Sequence, residues 1–205
     1  MAHPASRRRK PLTAAVSALI AGLVLVGCSG PGPESVPPAD SRSAAGGGLL
    51  AEHELSGLET PEVIERLDRM HVDDRPSGLL ASVRPDALVL SDEQERSVQL
   101  PMPDGEVYVS VAPYRQQTHE CHFHSLTTCR GELGNEAVRV VLTGPGGEVL
   151  VDETRKTFDN GFVGLWVPRG IEAKLTIEHE GRAGTARIAT RSGDDPTCIT
   201  DLRLA

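Results

Sequence analysis

Ala137-Val138-Arg139-Val140-Val141-Leu142, then Gly144-Pro145-Gly146-Gly147, then Glu148-Val149-Leu150-Val151 is the stretch on which the fold turns. Aliphatic runs on either side of Gly-Pro-Gly-Gly predict two strands joined by a hairpin. The signature repeats outward from there. Residues 174–178 and 185–190 flank Glu180-Gly181-Arg182, a second hairpin. Glu106-Val107-Tyr108-Val109-Ser110-Val111 alternates after Pro103-Asp104-Gly105, and residues 97–100 alternate before it. The apolar runs 79–83 and 87–90 are divided by Arg84-Pro85-Asp86. Asn160-Gly161 offers the positive φ angles of a tight turn. About seven to nine short strands with regular turns predict a mainly β, α+β chain, an antiparallel β-sandwich or barrel over residues 77–205.

A short helical segment, 53–76, precedes the strands. Thr60 can cap a helix, Pro61 suits its first position, and Glu62 favours the positive end of the helix dipole. Val63, Ile64, Leu67 and Met70 form an apolar stripe at helical spacing, ended by Asp73-Asp74-Arg75-Pro76. So short a helix is marginal alone. Its stripe needs a partner, either the β domain or a second copy in a homodimer.

Arg7-Arg8-Arg9-Lys10 and the uncharged apolar run 12–27 read as an export signal over residues 1–27. The run ends Leu25-Val26-Gly27-Cys28, the pattern of a bacterial lipobox, which predicts cleavage before Cys28 and lipidation of its thiol. Residues 28–52, with Pro31-Gly32-Pro33 and Gly46-Gly47-Gly48, have the composition of a flexible tether. The chain is expected at the outer face of the cell membrane, held by its lipid alone.

Removing residues 1–27 leaves 17 Lys and Arg against 29 Asp and Glu, a net charge near −12. No basic patch with interleaved aromatics occurs, so a nucleic-acid partner has no electrostatic footing.

Chemistry concentrates in His119-Glu120-Cys121-His122-Phe123-His124-Ser125-Leu126-Thr127-Thr128-Cys129. This connection lies between the strands predicted at 106–111 and 137–142. Cys198 is the one further cysteine of the predicted folded region. Three thiols cannot close into disulfides without a remainder. Thiolates with imidazoles nearby select cuprous copper or zinc over hard cations. The wide spacing of Cys121 and Cys129 is unlike a zinc-knuckle turn and makes zinc the weaker fit. Cu(I) needs only two or three thiolates. In an extended 119–124 segment His119 shares the face of Cys121, while His122 and His124 share the other. His119 and His124 are the candidate fourth ligands and His122 the weakest. His53, His71 and His179 lie outside the cluster and read as surface residues. The competing reading of the thiols is structural, with Cys121–Cys129 closed as a disulfide and Cys198 left over.

Residues 110–114 (SVAPY), 118–121 (THEC), 124–129 (HSLTTC), 131–133 (GEL), 160–166 (NGFVGLW) and 196–198 (PTC) resemble the CueP family. The likeness runs from about Gly78 to Leu204. It implies an envelope copper-binding protein of copper resistance that holds Cu(I) through three cysteines, here Cys121, Cys129 and Cys198, with nearby histidines as helpers. It also implies delivery to an extracytoplasmic copper,zinc superoxide dismutase or another cuproenzyme, and an accessory cupric reductase activity. The lipobox and tether depart from the family's plain periplasmic signal.

The expectation is therefore a binding protein, not an enzyme: an exported Cu(I)-holding lipoprotein. The alternative is a thiol-based redox protein, either a cupric reductase or a disulfide oxidoreductase.

Overall fold

The computed structural model describes residues 39–205. The expected export signal and Cys28 lie outside the described residues. Among the described residues, two α-helices, α1 (Ala39–Glu52) and α2 (Thr60–Asp68), lead into ten strands. Strands β1 (Leu79–Val83), β2 (Ala87–Asp92) and β3 (Ser97–Pro101) form an antiparallel meander. Strand β4 (Glu106–Val111) pairs antiparallel with β7 (Val163–Pro168) and parallel with the two-residue β10 (Cys198–Ile199). Strands β5 (Ala137–Thr143), β6 (Val149–Lys156), β8 (Glu172–His179) and β9 (Arg182–Ala189) form the third sheet, ordered β6-β5-β8-β9. The chain is mainly β with a short helical segment, and among the described residues no sheet closes into a barrel.

The β4 sheet is the middle layer. Val107, Val109 and Val111 of β4, with Val163, Leu165 and Val167 of β7, pack on Val138, Val140, Leu142, Leu175, Ile177 and Ile188 of the four-stranded sheet. Side chains alternate along a strand, so Tyr108 and Ser110 emerge on the opposite face. There Tyr108 and Trp166 join Val63, Ile64 and Leu67 of α2 and the inner faces of β1 and β2 in a second core. The stripe on α2 is thus covered by its own chain. Tyr108 and Trp166 meet edge to face with centroids 5.1 Å apart.

Helix α2 starts one residue earlier than its composition suggests. Glu59 is the N-cap, in a reciprocal box with Glu62. Thr60 Oγ1 instead donates to the Pro101 carbonyl at 2.7 Å, tying the helix to β3. Helix α1 occupies Ala39–Glu52, where the Gly-rich composition predicts tether. Leu49 is fully buried in the α2 core and Gly46 lies against Val98 of β3. Tertiary burial here outweighs the low intrinsic helix propensity of three successive glycines. His179, expected at the surface, is buried, with Nδ1 3.1 Å from the Ala137 carbonyl.

Candidate metal centre

The 119–131 connection is seated by three neighbours. Leu126 N–H donates to Ala81 O, and Val83 N–H to His124 O, so the loop runs along the edge of β1. Thr197 Oγ1 donates to Val83 O at 2.6 Å and accepts the His124 amide at 3.1 Å. The amides of Thr197 and Cys198 both donate to His122 O, at 3.0 and 3.1 Å. Those two bonds, with the pairing of Cys198 opposite Ser110 on β4, carry the third cysteine to the other two. A residue 77 positions from Cys121 thereby becomes its neighbour.

One ligand atom each of His119, Cys121, Cys129 and Cys198 lies within 4.8 Å of all the others. Cys121 and Cys198 are bonded as a disulfide, and Cys129 is a free, buried thiol. Cys129 Sγ lies 3.4 Å from Cys121 Sγ. The pairing differs from the Cys121–Cys129 loop considered as the structural alternative. The remainder is Cys129. Phe162, wholly buried, packs with Ala112 against Cys129 and Cys198. The His119 and His124 rings stand 6.2 and 4.5 Å from the Phe162 ring. His119 is exposed on the solvent side, where a cleft of 550 Å³ reaches Cys121 and Cys198 past Glu120, His122 and Asp201. His122 Nε2 points away, to the Asp194 carbonyl at 2.9 Å.

His124 closes the buried side. It is wholly buried, with Nδ1 3.9 Å from Cys198 Sγ and Nε2 3.0 Å from Asp68 Oδ1. Asp68, at the end of α2, is equally buried and receives three further bonds: Tyr108 Oη at 2.7 Å, Asn160 Nδ2 at 2.8 Å and Ser110 Oγ at 3.2 Å. Burial pushes the Asp68 carboxyl up, but the His124 charge and the bonds from His124, Tyr108 and Asn160 outweigh it and hold it below the usual range. Burial pulls His124 down, and Asp68 more than reverses this, raising it to about 9. The Cys129 thiol is pushed up by burial, yet His124, the Ser125 amide and Arg75 bring it below an ordinary thiol. Arg75, not the adjacent Arg130, is the cation that counts here; its Nη1 donates to the Cys129 carbonyl at 2.9 Å. The sequence alone does not mark Asp68 or Arg75 as part of the site. The available signal was a carboxylate four residues after Ile64, on the apolar face of an amphipathic helix.

Such a site offers soft sulfur, one imidazole at its open mouth and another at its buried base. The donor set suits a soft monovalent or borderline divalent ion.

A family model described as "Periplasmic copper-binding protein CueP" matches residues 62–203. A solved structure described as "Crystal Structure of S.CueP" is 35% identical, with a TM-score of 0.72, over 78% of this chain and 96% of that one. No curated protein sequence matches the chain. The match over residues 62–203 covers more than half of the sequence, and the chain belongs to the CueP family.

Proposed function

We propose that this CueP-family chain is an exported, lipid-anchored protein that captures Cu(I) through the thiolates of Cys121, Cys129 and Cys198. His119 serves as a ligand from the solvent side and His124 from the buried side. The observation that carries this reading is the convergence of four soft or borderline donor atoms within 4.8 Å of one another. Cu(I) accepts two or three thiolates, so the cysteines suffice and the imidazoles adjust the site. Zinc is the weaker competitor for the same donors.

Capture requires the reduced chain. Two electrons and two protons convert the Cys121–Cys198 disulfide to two thiols, and Cu(I) then displaces thiol protons. The cleft beside His119 exposes the cluster to an incoming protein ligand. Exchange of one thiolate at a time would pass copper to an envelope cuproenzyme, such as a copper,zinc superoxide dismutase, without release into water. Where no acceptor is present, the same affinity serves tolerance.

A second reading, thiol redox chemistry, draws on the free Cys129 Sγ 3.4 Å from Cys121 Sγ. Attack there would expel the Cys198 thiolate and form Cys121–Cys129. As a cupric reductase, two thiols would close to a disulfide and reduce two Cu(II) to Cu(I). Steady turnover with a supplied thiol favours this reading; a burst that stops at one disulfide favours holding.

X-ray absorption at the copper edge of the reduced, loaded chain tests the main reading. A Cu(I) edge with a sulfur-dominated shell supports it, and a Cu(II) edge with only nitrogen and oxygen neighbours overturns it.

A further inference from the structure

We infer that Asp68 is a positioning residue for the copper site: it fixes His124 so that Nδ1, and never Nε2, faces the cysteine sulfurs. The inference rests on the Cu(I) reading above and adds to it the residue that sets the buried ligand.

The four groups around Asp68 dictate the argument. The Asn160 amide nitrogen can only donate, and it shares Oδ1 with His124 Nε2. The hydroxyls of Tyr108 and Ser110 share Oδ2. A carboxylate accepting at both oxygens has no proton to give. The His124 nitrogen that meets it must therefore carry one, which assigns Nε2–H and leaves Nδ1 as the atom turned inward.

Nδ1 has the right place for a ligand. Its 3.9 Å separation from Cys198 Sγ is close to the edge of about 3.5–3.7 Å that a sulfur at ~2.3 Å and a nitrogen at ~2.0 Å span at tetrahedral to trigonal angles around one ion. Phe162, 4.5 Å away, and the backbone bonds from Val83 and to Thr197 leave the ring little freedom to turn. Histidine ligands commonly donate their second N–H to a carboxylate, which orients the ring and raises its basicity. Asp68 stands where that carboxylate is needed, although it lies on a helix 56 positions away from His124 in sequence. Tyr108, Ser110 and Asn160 hold Asp68 in turn, so three separate elements, α2, β4 and the turn before β7, converge on one ring nitrogen.

The test pairs a spectrum with a titration. In the reduced, metal-free chain, long-range proton–nitrogen NMR should show His124 Nε2 protonated and slow to exchange. Asp68→Ala should make that proton exchange rapidly and weaken Cu(I) binding by about 10- to 100-fold, the range typical of such outer partners. Asp68→Asn should restore much of both, because the Tyr108 and Ser110 hydroxyls can turn to accept from its amide while its oxygen stays toward His124 and Asn160. An unprotonated Nε2 in the unaltered chain overturns the inference even if no variant folds. Wild-type Cu(I) affinity in folded Asp68→Ala also overturns it. Loss of Cu(I) binding by the unaltered chain would instead sink the copper reading, with the NMR result still reporting how Asp68 holds the ring.

Discussion

Gly131 and Gly161 meet backbone to backbone. Gly131 N–H donates to the Asn160 carbonyl at 2.6 Å, and a Cβ on Gly161 would lie 2.6 Å from the Gly131 carbonyl carbon. The contact presses the end of the cysteine loop onto the turn that presents Asn160 to Asp68 and Phe162 to the sulfurs. It joins two of the six stretches that carry the family likeness, 131–133 and 160–166, and it leaves no room for a side chain on either residue.

Gly161→Ala should therefore be costly twice over. Gly161 has φ of 81°, which disfavours a Cβ by about 1–2 kcal/mol, and the clash with Gly131 adds to that. Gly170 has φ of 84° with nothing near the position of its missing Cβ, so Gly170→Ala isolates the backbone term. Denaturant unfolding should show the larger loss for Gly161→Ala. Equal losses would mean that the close approach contributes nothing.

Oxidation state should decide whether copper binds. With Cys121 and Cys198 joined, one thiol of the cluster remains. Alkylation of the oxidised chain followed by peptide mass mapping should label Cys129, and that form should take up no tight Cu(I) until reduced. Tight binding by the oxidised chain, with the disulfide intact after loading, would contradict the three-thiolate site.

Stability should depend on pH through the buried His124–Asp68 pair. His124 is raised in the folded chain to about 9, so its contribution is complete below its unfolded value of about 6.5 and is lost as pH rises through 9. The loss is on the order of 3 kcal/mol from the size of that shift. Asp68 is lowered, so its contribution is present above its unfolded value of about 3.9 and disappears as pH falls through the folded one. Denaturation of the oxidised chain between pH 6 and 10 should show the alkaline decline, and His124→Gln should flatten it. An unchanged slope in His124→Gln would assign the decline to other groups.

The strands were legible because each carries its own punctuation. Glu180-Gly181 turns with both φ angles positive, as its hairpin requires, and residues 137–143 alternate buried and exposed through most of their length. Strand β7 has no strand signature in the sequence, because Gly164 and Trp166 break its alternation. The structure gives Gly164 a cause: Tyr108, diagonal to it on β4 and two residues before its partner Ser110, lies where a Cβ would stand. Strand β10 is two residues long and has no period to detect. The gathering of three cysteines was readable as a hypothesis from their chemistry. Which two are bonded depends on Thr197 and Cys198 reaching His122 across the fold, and nothing local encodes that. Asp68 stays hidden for the same reason, since its four partners come from three distant segments, β4, the cysteine loop and the turn before β7.

The most direct measurement is a competition titration of the reduced chain with Cu(I) against a chromogenic chelator. Cys198→Ser and a triple variant with serine at 121, 129 and 198 would run beside it, both retaining Cys28. One tightly held Cu(I) per chain is the expected result, sharply weakened in Cys198→Ser and absent from the triple variant, with zinc held less tightly. Equal Cu(I) uptake by the unaltered chain and the triple variant would contradict the cysteine site.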